Sequence, residues 1–386
     1  MAQLKAVPTK VAVIFVNYGP YHRARALALQ SVMHLEPHFV ELASAQALYP
    51  WHASGPADTL TLTTLARGEY EQLPKGRITR AVWRALDRLD PHVVVGCGYS
   101  DVPMLAAAVW AKRKRRPYIL MFETTEWGRR RPLWEELPKR AVLATLVNGV
   151  FCGGTAHRLY LNRLGVRAAR IWEKYDVVDN TYFEDAADAA RRDEDQLRVA
   201  LGLPPAYFLY VGRFSPEKNI EVLLRAYAQY KKHQPAGYGL VLVGDGPQRE
   251  NLQELASRLH SDDIVWTGRQ GIGTLPTYYA LARAFVLPSR AEPWGLVVNE
   301  AMACGLPVII SNRCGCAPDL VREGTNGFTF DPHNVDELGR HLHTMAQLEE
   351  PIRAQMAKAS RCVVAEYTPT AWATNLAACV SAALAR

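Results

Sequence analysis

The chain has 386 residues, 49% of them hydrophobic and 22% charged, with a formal net charge of +7. This is globular composition, enough for two domains or one large one, and it excludes a disordered, collagen-like or disulfide-stapled chain. The longest weakly polar run, residues 141–152, falls short of the roughly 20 apolar residues that span a bilayer. The start MAQLKAVPTK runs straight into VAVIFV without an apolar leader and cleavage site, so a cytoplasmic protein is expected.

Strands are predicted at residues 11–16, 92–95, 118–122 and 149–152, with amphipathic helices at 77–89 and 101–112 between them. This βαβ alternation implies a mainly parallel sheet with helices on both faces. Residues 177–196, VVDNTYFEDAADAARRDEDQ, are acidic and polar and read as an interdomain connection. The alternation then restarts, with strands at 207–211, 240–243, 264–266, 284–287 and 307–310. Helices are expected at 217–230, 247–259, 275–282, 295–304 and 335–346, and an Ala-rich helix at 371–385. Two α/β domains of this kind place a nucleotide or sugar ligand at strand C-termini.

Charge is unevenly spread. Residues 1–180 carry 25 Lys and Arg against 15 Asp and Glu, a net +10, and the remainder is −3. Two runs dominate, Lys112-Arg113-Lys114-Arg115-Arg116 and Arg129-Arg130-Arg131. Such runs attract phosphates, nucleic acid or anionic lipid headgroups. The first also follows a helix-like stretch, whose C-terminal dipole favours cations in its own right. The seven cysteines are odd in number and scattered, which points to buried thiols rather than disulfides.

Gly96-Cys97-Gly98 and Gly244-Asp245-Gly246 sit at strand–turn–helix junctions but lack the third glycine of the dinucleotide fingerprint. A hydride-transferring enzyme is therefore disfavoured. The segment from Tyr210 through Gly212, Arg213 and Lys218 to Asn219 leaves a strand and enters a helix. Its two cations could reach a diphosphate at the strand's C-terminal edge. In LPSRAEPWGLVVNEAMACGLPVI, a strand ends, a loop carries Glu292, and a helix starts near Gly295. The N–H groups of that helix start, at Gly295, Leu296 and Val297, could bind phosphate. Glu300 lies about 8 Å further along the helix axis. That spacing suits one carboxylate on a sugar and one on a ribose, or simply a loop and a helix-surface carboxylate. Asp193-Glu194-Asp195 lies in the polar stretch and reads as a solvated charge run, not a metal site.

The set Arg213, Lys218 and Glu292-x7-Glu300 resembles the donor site of family-4 retaining glycosyltransferases of the GT-B fold. The similarity runs through residues 205–332, and more loosely through Asn17 to His22 and Val178-Asp179-Asn180. It implies two Rossmann-like, doubly wound domains facing a cleft: residues 1–180 for the acceptor and 181–367 for the donor, with a helix at 368–386 packing back on the first. It implies that Arg213 and Lys218 neutralise the donor diphosphate, with Glu292 on the sugar hydroxyls and Glu300 on the ribose. Gly212, Arg269 and Gly19 would lie along the donor, the loop with Arg269 near the base. Relatives often carry a His after the strand at 118–122, where this chain has Glu123-Thr124-Thr125-Glu126. Glu123 and Glu126, with His22 and Arg129, are the acceptor-side candidates; Glu123 or Glu126 could equally cap the next segment.

The expected reaction is metal-independent transfer from a nucleotide-diphospho-sugar, a uridine nucleotide by default, without a cofactor and without a nucleic-acid partner. The basic first half points to an anionic or lipid-linked acceptor and to peripheral contact with the membrane inner face. The alternatives are a nucleotide-sugar epimerase, for which no proton-handling set is visible, and a silent sugar- or nucleic-acid-binding protein, against which the intact charged residues argue.

Overall fold

A computed structural model describes residues 7–46, 60–128, 132–261 and 263–386. The chain divides into two units, Met1–Val178 with Pro369–Arg386, and Asp179–Thr368.

In chain order the first unit contains β1 (Thr9–Phe15), α1 (Pro20–Gln30), β2 (Leu35–Glu41), β3 (Leu62–Thr64), α2 (Lys75–Leu89), β4 (Val93–Cys97) and α3 (Val102–Arg113). It continues with β5 (Tyr118–Phe122), α4 (Leu133–Thr145), β6 (Gly149–Cys152), α5 (Thr155–Arg163) and β7 (Ile171–Trp172). The strands form one parallel sheet in the order β3-β2-β1-β4-β5-β6-β7. The runs VAVIF and YILMF are buried throughout, as strands covered on both faces must be. Strand β2, LEPHFVE, lies outside the predicted strands and carries a proline. Pro37 pairs with Val11 of β1, while β3 joins only from Phe39 onward. The missing N–H of Pro37 thus lies where no further strand is paired.

The second unit opens with α6 (Asn180–Arg192) and α7 (Glu194–Leu201), followed by β8 (Tyr207–Val211), α8 (Ile220–His233), β9 (Gly239–Val243) and α9 (Arg249–Arg258). Then come β10 (Ile264–Gly268), α10 (Leu275–Leu281), β11 (Ala284–Leu287), α11 (Leu296–Ala303), β12 (Val308–Ser311) and α12 (Ala317–Leu320). It closes with β13 (Gly327–Phe330), α13 (Val335–Ala346) and α14 (Glu350–Val364); α15 (Pro369–Leu384) belongs to the first unit. This sheet is also parallel, in the order β10-β9-β8-β11-β12-β13. From β8 the chain winds one way to β10 and then crosses to the other side at β11. The switch point lies between β8 and β11, where ligands of such sheets bind.

The acidic stretch expected to be a connection is instead helical. Asp179 caps α6 by accepting the Tyr182 N–H at 3.1 Å. Phe183, Ala187 and Ala190 are buried at helical spacing, and α6 packs on α10 and α11. Its charges face outward, where Arg361 binds Asp188 at 2.6 Å and Glu184 at 3.1 Å. Composition alone recorded only that outer face.

Candidate active site

The loops at the C-terminal edge of the second sheet are joined by backbone. The Gly212 N–H donates to the Val243 carbonyl at 3.0 Å, Phe214 N–H to Asp245 at 2.9 Å, and Gly244 N–H to Gly268 at 2.9 Å. A Cβ on Gly244 would stand 1.9 Å from the Gly212 oxygen, and one on Gly246 2.6 Å from the Phe214 oxygen. The glycines of Gly244-Asp245-Gly246 are thus required by close backbone approach, which explains a glycine pair that is not a dinucleotide fingerprint.

Arg213 follows β8, and its guanidinium lies 3.9 Å from Glu217 with 39% of the side chain exposed. Lys218 ends a short 3-10 turn, and its Nζ makes an ion pair with Glu292 Oε2. These two side chains are only 14% and 11% exposed. Glu292 comes from the loop after β11, so the pair straddles the switch point. Ser289 Oγ also donates to Glu292 Oε2, at 3.1 Å. The Glu292 backbone is pinned on both sides, its N–H to the Arg313 carbonyl at 3.1 Å and its carbonyl to the Gly315 N–H at 3.0 Å. Cys314 and Cys316 beside it are buried, and burial pushes both thiols well up.

Asn219, to which sequence reasoning gave no role, holds this edge together. It is 2% exposed and left-handed, with φ 57°. Its Nδ2 donates to the Pro288 and Pro332 carbonyls at 3.0 and 2.8 Å, and its Oδ1 accepts from Arg290 Nε at 2.8 Å. One side chain therefore ties the loops after β8, β11 and β13. Its signal in the sequence was an Asn directly before a helical pattern, read only as a helix start.

Gly295 caps α11 with φ 103°, a conformation that favours glycine. A Cβ there would meet Leu287 at 3.2 Å and Glu292 at 3.3 Å. Leu296 and Val297 are half-buried, and their first-turn N–H groups have no intrahelical partners. Glu300 is different. It has no exposed surface, and its Oε2 accepts the Tyr279 hydroxyl at 2.8 Å. Arg269 is exposed, next to Gly268 at the end of β10. Asp193-Glu194-Asp195 forms the junction of α6 and α7, with Glu194 accepting from Arg198 at 2.6 and 2.9 Å.

In the first unit, Gly19 is buried and caps α1 with an ordinary φ of −74°. The loop leading to it is organised by Glu41, which is 7% exposed and was not anticipated. Glu41 accepts the Tyr18 N–H at 3.2 Å and the Thr64 hydroxyl at 2.7 Å. His22 packs its ring 4.3 Å from Phe15. Burial and the Arg25 charge lower its pKa to about 3, so the imidazole is neutral at pH 7. Glu123 keeps an exposed side chain. Even so, the protein crowds it enough to raise its carboxyl, against Arg25 and the Tyr175 hydroxyl, which favour the anion. Behind it lie Arg25 and Asp176, each 2% exposed. Arg25 donates to the Val177 carbonyl at 2.9 Å, with its guanidinium 5.0 Å from the Tyr175 ring centroid. Glu126 is separate from this group, at the surface in an ion pair with Arg163 at 2.8 Å. Arg129, with Arg130 and Arg131, lies outside the described residues.

Comparison with known proteins places the chain among related sequences and folds. The family model for Glycosyl transferases group 1 matches residues 192–362. A sulfoquinovosyl transferase from Arabidopsis thaliana is 31% identical over 255 residues, 64% of this chain and 46% of that one. A GDP-mannose-dependent phosphatidylinositol monomannoside mannosyltransferase from Mycolicibacterium smegmatis is 34% identical over 185 residues, 46% of this chain and 47% of that one. The chain spans less than half the length of these curated relatives. Among solved structures, a sucrose-phosphate synthase from Thermosynechococcus elongatus superposes with a TM-score of 0.72 at 20% identity, covering 96% of this chain and 98% of that one. Anabaena HepE in complex with UDP gives 0.75 at 17% identity, covering 97% and 99%. The fold is that of the GT-B glycosyltransferases, and residues 192–362, within the second unit, are similar to the Glycosyl transferases group 1 family.

Proposed function

We propose that this chain is a glycosyltransferase that moves a sugar from a nucleotide-diphospho-sugar to an acceptor with retention of anomeric configuration. The observation that best supports it is the enclosed Lys218–Glu292 pair at the β8/β11 switch point, with Arg213 on the same loop as Lys218. As the bond from the anomeric carbon to the diphosphate oxygen lengthens, negative charge grows on the leaving nucleoside diphosphate. Arg213 and Lys218 stabilise that charge, and losing one such contact costs roughly 100- to 1,000-fold in kcat. The acceptor oxygen bonds to the same face of the anomeric carbon, and its proton passes to the departing phosphate oxygen. Glu292 binds the sugar hydroxyls, fixing the ring while the bond breaks. The N–H groups of Gly295, Leu296 and Val297 receive phosphate, and the loop with Arg269 meets the base. Glu300 is assigned to the ribose, which has to displace the side chains that now seal its carboxylate.

The default donor base is uracil, and the reaction runs without a divalent metal. The acceptor is assigned to the first unit, near His22 and Glu123, and is anionic or lipid-linked. No helix among the described residues is long and apolar enough to cross a membrane. We place the enzyme in the cytoplasm, with its basic first unit able to touch an anionic membrane face.

A thermal-shift screen of UDP, GDP, ADP and TDP tests the donor site, since a ligand at 100 times its Kd adds about 2.7 kcal/mol. Incubation with the matching nucleotide-sugars then tests the reaction. Nucleoside diphosphate released slowly alone, faster with acceptor and equally in EDTA, is the expected result. Sugar interconversion without release means an epimerase, and an inverted product by NMR refutes retention. If no nucleotide stabilises the protein, the donor-site assignment is wrong.

A further inference from the structure

The Lys112–Arg116 run takes no part in the chemistry above, yet the fold gathers other cations around it. Lys112, Arg115 and Arg116 at the end of α3 line one hollow together with His92, Arg170 and Arg386. The hollow measures about 790 Å³, within the range of small-molecule sites. It lies at the N-terminal edge of the first sheet: His92, Pro117 and Asn148, which also line it, directly precede β4, β5 and β6. Gly19, His22 and Glu123 follow strand ends at the opposite edge, about 16 Å away along a five-residue strand.

The cations are held in place. Arg170 donates to the Asn148 carbonyl at 3.1 Å, and Asn148 Oδ1 accepts the Tyr118 N–H at 3.0 Å. Arg386 donates to the Ala169 carbonyl at 2.7 Å. The α3 terminus closes with the Arg116 N–H on the Ala111 carbonyl at 2.8 Å, which leaves Arg115 left-handed at φ 57°. That position ordinarily takes glycine. The described side chains leave an excess of positive charge. Arg116 reaches Asp90 at 3.3 Å, but Lys112 and Arg115 make no ion pair with any described residue, and none of the described side chains lining the hollow is an Asp or Glu. Burial, Arg386 and Arg167 all lower the pKa of Arg170. The helix dipole accounts for cations on α3. It does not account for Arg170 before β7 or Arg386 beyond α15.

We infer that this hollow is an anion site, separate from the donor and acceptor sites, for a ligand carrying two or more phosphate charges. Guanidinium groups from three separate segments suit several phosphate oxygens at once, and Pro117, Val147 and Leu384 give it an apolar wall. The phosphate could belong to a soluble anion or to a lipid headgroup.

Inorganic pyrophosphate and anionic vesicles are the two probes. Calorimetry with pyrophosphate is run on Arg213→Ala/Lys218→Ala, which silences the donor site, and on the same protein with Lys112→Gln/Arg115→Asn added. Asparagine tolerates the left-handed position. Co-sedimentation compares phosphatidylcholine vesicles with and without phosphatidic acid. Arg386→Ala alone is the second variant, because it removes one surface hydrogen bond and leaves the fold intact. A soluble ligand predicts pyrophosphate binding that weakens roughly a hundredfold or more when two charged contacts are lost. A headgroup predicts salt-sensitive binding to anionic vesicles that falls in both pocket variants. If neither probe distinguishes the pocket variants from their parents, the hollow binds no phosphate and the inference is overturned.

Discussion

Removing one member of the Lys218–Glu292 pair should destabilise the second unit more than removing both. The side chains are 14% and 11% exposed, so either alone is left as a poorly hydrated charge. Breaking a buried pair costs about 3–5 kcal/mol, and the residual exposure puts these single changes at the low end, near 3 kcal/mol. A unit of this size shifts by about 2–4 °C per kcal/mol. Lys218→Ala and Glu292→Ala should each therefore lower Tm by roughly 6–12 °C. The double variant leaves no stranded charge and should recover about half of that shift. Activity should behave in the opposite way. Each single variant and the double should lose on the order of 100-fold or more in kcat, because the diphosphate or the sugar has lost its partner. Scanning calorimetry of the four proteins, with kcat measured on each, separates the two effects. Strictly additive Tm shifts would show that the pair carries no coupling, and a double variant that regains turnover would remove both residues from the chemistry.

Asn219→Gly should cost roughly 2 kcal/mol for the lost buried hydrogen bonds. Asn219→Ala should cost about 1 kcal/mol more, because alanine pays for the left-handed backbone; equal losses in urea melts would show that the conformation is irrelevant. Gly244→Ala places a methyl 1.9 Å from the Gly212 oxygen, so it should separate the β8 and β9 loops and weaken nucleotide binding; an unchanged thermal shift with UDP refutes this. His22, lowered to about 3, takes up its proton in the unfolded chain near pH 6.5 but not in the folded one. Stability therefore falls as pH drops from about 6.5 towards 3, and His22→Gln should make that decline shallower in melts from pH 7 to pH 4.

Each half of the donor candidate set was legible as a short local motif, although the two halves lie 74 residues apart. Arg213 and Lys218 share the loop after β8, and Glu292 and Gly295 share the loop after β11; what brings the two loops together is the crossover that sets β11 beside β8. The residues that hold the loops of either unit were not legible, because a lone Asn or Glu in a strand or turn carries no local motif that names its partner. Asn219 reaches Pro332, and Glu41 reaches Thr64 and Tyr18. Long apolar strands such as β5 and β8 stood out, whereas β7 has two residues and β2 hides a proline. Helix α6 was missed because its outward charges outweigh the few buried positions in any count of composition. Glu300 is a different case. Its spacing matched a ligand contact, but a one-dimensional pattern does not reveal that a carboxylate at that position is sealed beneath Tyr279.

The return of α15 to the first unit has a consequence for synthesis on the ribosome. That helix buries Trp372, Leu376, Cys379 and Val380, and it lies on β6 so closely that a Cβ on Gly149 would meet Cys379 Sγ at 2.8 Å. The unit that leaves the exit tunnel first therefore lacks the cover over β5, β6 and β7 until that helix has followed. Residues 179–368 are complete before then and can fold while their predecessor waits with β5 to β7 uncovered on one side, reversing the usual N-terminal-first order. An aborted chain ending near residue 368 would hold a finished donor-side unit joined to an unfinished one. Such a fragment exposes apolar surface rather than missing a loop, and a chaperone or protease can recognise it by that surface.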